Sequence, residues 1–163
     1  AVISNMKGFT LIEMIVATVI LLLFTGGSIL TMNNFNDRQK AIGVRSEIKS
    51  MIELAKNYAS TMQYPAASLE TPEYYKFFIQ DKKAEILVHF SSDTEGKFGS
   101  NDRDFNDQGV EINNVTVCFK PFETVQYDCG VGTTAAKTIV VTSGGAAYSL
   151  IVDEYGKITE VNP

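Results

Sequence analysis

The sequence predicts an α+β protein, and three observations carry that reading. A long apolar run opens the chain. An amphipathic helical pattern continues it to about residue 63, and short β-prone runs separated by turns fill most of the chain after Pro65. Together they predict a long N-terminal α-helix, transmembrane in its first half and amphipathic in its second, packed on a C-terminal antiparallel β-sheet.

The first element is the apolar run. From Met14 to Met32 the chain has 19 residues without a charge, close to the roughly 20 that a helix needs to cross a bilayer. A cleaved secretory signal, a permanent transmembrane helix and a helix buried in a protein assembly all compete for it. The "TGGS" at 25–28 is a poor cleavage site. A soluble core helix has too little partner surface in so small a domain. A membrane-inserted helix is the plainest reading on hydropathy. Gly26 and Gly27 interrupt it, each costing about 1 kcal/mol relative to Ala. The pair marks either a weak point or a site of close packing through small residues.

The helical pattern continues through Phe35, Ile42, Ile48, Met51, Ile52, Ala55, Tyr58 and Met62, at spacings near three and four. Asp37 with Lys40, Lys49 with Glu53 and Glu53 with Lys56 are expected to pair along the polar face. The helix should end around Gln63, before Pro65. From Phe9 it would then be about 80 Å long.

Expected strands are Glu85–Phe90, Val110–Phe119, Glu123–Tyr127, Lys137–Thr142, Ala147–Val152 and Ile158–Val161. Gly144-Gly145 is placed as a two-residue hairpin turn, and "DEYGK" at 153–157 makes the next turn. The last three strands read as an antiparallel meander whose apolar face, with Ile139, Val141, Leu150 and Val152, lies on the helix.

Composition excludes little beyond one class. The net charge of −5 argues against a nucleic-acid binder, which needs Lys and Arg to neutralise phosphates. Cys118 and Cys129 have neither zinc-knuckle nor redox-motif spacing, and a structural disulfide closing a loop is the better reading. It would require an oxidising compartment. In "SSDTEGKFGSNDRDFNDQG" (91–109), Asp102, Asp104 and Asn106 alternate as calcium ligands do. The EF-hand pattern then fails, with Asp107 at the sixth position and Asn113 at the twelfth. A solvated, mobile loop is expected there, with calcium a weak candidate and no other cofactor. His89 has no recognisable nucleophile partner and is read as a satisfied structural histidine. The sequon Asn114-Val115-Thr116 is read as chance. Nothing points to an enzyme.

One feature of the apolar run is chemical. A carboxylate, Glu13, stands close to its start, in "KGFTLIE" at 7–13. A charge inside a membrane is expensive and functional by default. The string, followed directly by the apolar run, closely resembles the processing site of the type IV pilin-like family, which comprises type IV pilins, minor pilins, type II secretion pseudopilins and competence pilins. The resemblance is tight over 7–24 and does not extend into the C-terminal domain. It implies cleavage between Gly8 and Phe9 by a membrane-embedded prepilin peptidase, and N-methylation of the new Phe9 amine. It also implies a pilin-like fold. Met6 stands as a candidate initiator, which would give the short leader Met6-Lys7-Gly8.

Cleavage would expose an amine with a reference pKa of about 8, and methylation keeps its charge. Phe9 and Glu13 share one helical face, so the carboxylate could pair with its own amine or with that of a neighbouring subunit. The resemblance implies the second arrangement, which makes Glu13 an assembly device. The alternative is a carboxylate that snorkels to water and stabilises the helix N-terminus.

The expected organisation is a leader at 1–8, a stalk helix at 9–63 with its membrane and assembly part at 9–32, and a β-rich head at 64–163. The expected function is that of a structural subunit of a type IV pilus (fimbrium) or type II secretion pseudopilus. Its partners would be the prepilin peptidase and N-methyltransferase, other pilin-like subunits, and the inner membrane before assembly. The alternative is a membrane-tethered extracytoplasmic binding module that never polymerises. Lys7 against Arg38, Lys40 and Arg45 would place the C-terminal domain inside by the positive-inside rule. The cysteines and the processing motif outweigh that and place it outside.

Overall fold

The computed structural model describes residues 10–63, 70–98, 101–123, 126–127, 129 and 135–163, without the side chains of 25–31, 33, 34 and 127. The chain divides into two compact units, Ala1–Asn36 and Asp37–Pro163, and the boundary falls within one helix. That helix, α1, runs from Leu11 to Thr61.

In the first unit the described apolar side chains of α1 are exposed, from Leu11 and Ile12 through Phe24. In the second unit α1 has a buried face. Ala41, Val44, Ile48, Met51, Ile52, Ala55 and Ala59 recur every three or four residues and are buried. Full burial of residues such as Ile48 and Ile52 contributes about 1.5–3 kcal/mol each. The small residues Ala41 and Ala59 belong to this face although the apolar pattern did not single them out. Phe35, which it did, is exposed.

The helix ends two residues before the expected Gln63. Met62 takes φ +51°, and the Gln63 N–H donates to the Tyr58 carbonyl at 3.1 Å. This 6→1 bond closes the helix, with Met in the left-handed position that Gly usually fills.

The β-structure forms two antiparallel sheets rather than the one expected. The first contains β1 (Pro72–Gln80), β2 (Lys83–Phe90), β3 (Glu95–Lys97), β4 (Arg103–Asp104), β6 (Val115–Phe119) and β7 (Gln126–Tyr127). Its order is β3-β2-β1-β6-β7, with β4 also on β2. The second has the order β10-β9-β8-β5, from β5 (Glu111–Ile112), β8 (Lys137–Ser143), β9 (Ala146–Val152) and β10 (Ile158–Val161). The expected meander β8-β9-β10 is present, with Ile139 opposite Leu150. Its turn residues Gly144 and Gly145 have φ +57° and +80°, as a two-residue hairpin requires.

Strand β1 is the largest omission from the sequence reading. Its inward residues Tyr75, Phe77 and Ile79 are buried, but Tyr74 and Phe78 alternate with them on the outer face. Aromatics on both faces erase the apolar–polar alternation that marks a half-buried strand. Its hairpin to β2 turns at Asp81 and Lys82, with φ +51° and +61°, without the Gly that signals such turns. The expected strand Val110–Phe119 is two strands, because Asn113-Asn114 breaks it and sends β5 and β6 to different sheets. Asn113 imitates a strand residue there. Its side-chain oxygen accepts from the Val140 N–H, and its amide donates to the Thr138 carbonyl.

The core is shared by the helix face and both sheets. It gathers Val44, Ile48 and Ile52 with Tyr75, Phe77 and Phe119 from one sheet, and with Ile139, Val141 and Leu150 from the other. Buried Gln126 joins the sheets, donating its side-chain amide to the Val152 carbonyl at 2.8 Å and its backbone N–H to Glu154 at 3.2 Å.

The 91–109 segment contradicts the expectation of a solvated loop. Phe105 is fully buried, and Phe98 stacks on Tyr58 with ring centroids 4.2 Å apart. Asn101 donates to the Tyr58 hydroxyl at 2.9 Å, and Arg103 meets Glu47 at 3.2 Å. Two aromatic anchors bind a segment whose other residues are polar. Tertiary contacts also redirect two expected ion pairs of the helix. Asp37 and Lys40 do pair, at 3.5 Å, but Lys49 reaches Glu160 on β10 at 2.7 Å, and Lys56 donates to the Gly156 carbonyl at 2.8 Å.

Candidate processing and assembly site

Residues 10–13 start α1 with a capping box. Thr10 precedes the first helical residue, and its carbonyl already accepts from the Met14 N–H at 3.3 Å. The Thr10 backbone N–H and hydroxyl both donate to Glu13 Oε2, each at 2.8 Å. In return the Glu13 N–H lies 3.4 Å from Thr10 Oγ1 as donor. Free donors at a helix start need such partners, and the Thr-x-x-Glu spacing supplies them. The sequence pattern was available, since Thr10 and Glu13 precede an apolar run, but the reading of "KGFTLIE" as a processing site obscured it.

Glu13 is therefore fixed by its own helix start and is solvent-exposed, as are the apolar residues from Met14 to Phe24. Gly8 and Phe9 lie outside the described residues. The backbone is α-helical through Gly26 and Gly27. Among the described residues, no helix is long and apolar enough to cross a membrane. The Met14–Met32 run includes 25–31, whose side chains lie outside the described residues.

The other residues singled out by the sequence fall in the second unit. Cys118 and Cys129 form a disulfide, with Cα atoms 6.0 Å apart, and Cys118 is buried. Asp104 Oδ1 accepts from the backbone N–H and side-chain amide of Asn106, at 2.9 and 2.7 Å. The backbone bond, more than any other contact, holds the Asp104 carboxyl below its ordinary range. Its other oxygen is 3.3 Å from Lys83, and Asp102 is 3.8 Å from Lys97. These side chains are engaged with one another and with lysines. Among the described residues, no group of three or more His, Cys, Asp or Glu is placed to hold a metal.

His89 stacks on Tyr74 with centroids 4.5 Å apart. Its Nε2 lies 3.5 Å from Asp93 and 4.0 Å from Glu73, whereas Nδ1 is buried and has no hydrogen-bond partner among the described residues. Two carboxylates thus stand beside one ring nitrogen, and the expectation of a satisfied histidine is not met at the other.

The comparisons with known proteins bear on the helix start. The prokaryotic N-terminal methylation motif matches residues 3–29, a span that contains Gly8, Phe9 and the capping box. No curated protein and no solved structure matches the chain. Residues 3–29 thus carry the prokaryotic N-terminal methylation motif, and with it the hallmark of type IV pilin-like proteins.

Proposed function

We propose that the chain is a structural subunit of a type IV pilus or a related type II secretion pseudopilus, processed at Gly8–Phe9 and polymerised through its N-terminal helix. The observation that carries this reading is the methylation motif on residues 3–29. The exposed apolar side chains from Leu11 to Phe24 support it, because a contiguous exposed apolar surface calls for lipid or protein to cover it. Before assembly the cover is the inner membrane, which the helix spans once. Afterwards it is the helices of neighbouring subunits. The disulfide supports an extracytoplasmic second unit.

The prepilin peptidase hydrolyses the Gly8–Phe9 peptide bond, and the freed Phe9 amine receives a methyl group and keeps its positive charge. Glu13 then has two claims on it. Its own Thr10 donates twice to one oxygen, and among the described residues the second oxygen is left for a cation. The Phe9 amine of an adjacent subunit fills that role and rewards polymerisation over the isolated state.

Mass spectrometry of the mature N-terminus tests the reading directly. The expected result is a chain that begins at N-methylated Phe9, and a mature chain that begins elsewhere would sink it. Separation from a tether that never polymerises comes from Glu13→Ala, which should stay in the membrane and fail to enter filaments.

A further inference from the structure

Phe122 occupies a conformation where Gly or Asn would be expected. Its φ is +62°, in the left-handed region that hinders side chains bearing a Cβ, and its side chain is 72% exposed. The conformation is built in. The Phe122 N–H donates to the Ala59 carbonyl at 2.9 Å, one of the carbonyls that the end of α1 leaves without an intrahelical partner. The residue also lies inside the loop closed by Cys118 and Cys129. Lys120 and Glu123 flank it and pair with each other at 3.7 Å. The bond to Ala59 accounts for the backbone but not for a large apolar ring held in water at that position, and an observed outlier of this kind is grounds for a functional hypothesis.

Elsewhere on the same unit, a pocket of about 80 Å³ opens beside α1. Met51 and Leu54 supply its apolar lining, with Ser50 and Asn101 beside them. Glu47 and Arg103, themselves paired, complete it. The volume is below the roughly 150 Å³ that takes benzene whole, so it suits the leading edge of a ring. The charges match in kind: Lys120 and Glu123 bracket the ring, and Glu47 and Arg103 bracket the pocket. Ala59, which holds Phe122, is five residues from Leu54, about 7.5 Å along the helix axis. A second copy displaced by about that step brings the Phe122 anchor level with the near edge of the pocket.

We infer that Phe122 of one copy seats in the Met51–Leu54 pocket of a second copy, with Lys120 meeting Glu47 and Glu123 meeting Arg103. Knob and hole lie at different places on the unit, so the contact is heterologous and repeats without closing, as a filament requires. An aromatic anchor in a small pocket with a charged rim also has the anatomy of an interface hot spot. This inference rests on the filament reading and names a contact between subunits that the N-terminal helix does not supply.

The test uses the full chain in producing cells, with Phe122→p-benzoylphenylalanine irradiated in assembled filaments. A cross-linked dimer whose second peptide lies within 47–54 is expected. Phe122→Ala should lower filament yield roughly tenfold or more with an unchanged melting temperature. Lys120→Glu should lower the yield too, and added Glu47→Lys should restore it. Filaments whose cross-links map elsewhere, or Phe122→Ala filaments at the wild-type level, overturn the contact and leave the filament reading standing. A wild-type chain that never enters filaments overturns both.

Discussion

Glu13 and Thr10 are joined reciprocally across the first turn of α1: two donors of Thr10 meet one Glu13 oxygen at 2.8 Å, while the Glu13 N–H points back at the Thr10 hydroxyl. A carboxylate that looked anomalous at the head of an apolar helix has a local role that any helix start could use. Capping and the proposed assembly role are separable, because only the proposed role requires the charge.

Glu13→Gln should separate them. Gln can fill the same capping position, so helix content and membrane insertion should stay near wild type, while filament incorporation should fall as is expected of Glu13→Ala. Thr10→Ala keeps the charge and should cost about 1 kcal/mol of helix-start stability, with incorporation largely retained. Circular dichroism together with a shearing assay for filaments reads both. Wild-type incorporation of Glu13→Gln would show that the charge is dispensable.

The Glu160 carboxylate helps to hold the C-terminal strand to α1. Glu160 meets Lys49 at 2.7 Å and buried Arg45 at 3.0 Å, and Arg45 also donates to the Asn162 side chain at 2.7 Å and lies over the Tyr148 ring. The Lys49 hydrogen bond, ahead of its charge, holds the Glu160 carboxyl below its ordinary value of 4.5. The resulting stability is present above pH 4.5 and is lost as the pH falls through the lowered folded value. Glu160→Gln should therefore flatten the acid limb of a denaturation-midpoint series run from neutral pH to below the Glu160 range. Parallel acid limbs in the two proteins would refute this. Arg45→Met removes charged hydrogen bonds and should cost on the order of 2 kcal/mol at neutral pH.

Phe105 tests whether 91–109 is a packed segment. It is fully buried, and its N–H donates to the Lys82 carbonyl at 2.9 Å. Phe105→Ala should destabilise by about 3–5 kcal/mol in urea unfolding. A loss below about 1 kcal/mol would return the segment to the status of a surface loop.

Replacing Cys118 and Cys129 together by Ala opens a loop with a sequence separation of 11. The expected loss is about 2–4 kcal/mol, seen as a lower urea midpoint. Reductant should bring the wild type towards the variant and leave the variant itself unmoved.

Much of the fold was legible in the residues. The helical repeat from Ile42 to Tyr58 gave the stalk, and Gly144-Gly145 gave the hairpin, because Gly alone takes φ +57° and +80° without strain. The segment from Lys7 to Glu13 was enough to suggest the family. What sequence reasoning missed lay where chemistry and pattern diverge. Strand β1 carries aromatics on both faces, the turns at Asp81-Lys82 and Met62 use positive φ without Gly, and the 91–109 segment hides its two anchors among charges.

By itself, then, the sequence determined the local features: where the helix starts, its period, the glycine turn and the methylation motif. Each depends on residues a few positions apart, whose interactions survive in any context. Only the tertiary structure decided the partners across the chain. It placed Lys49 on Glu160 rather than Glu53, sent β5 and β6 to separate sheets and set Phe105 in the core. Such choices depend on which distant surfaces can be buried together, and a burial energy summed over the whole core outweighs the few tenths of a kcal/mol that a neighbouring ion pair offers.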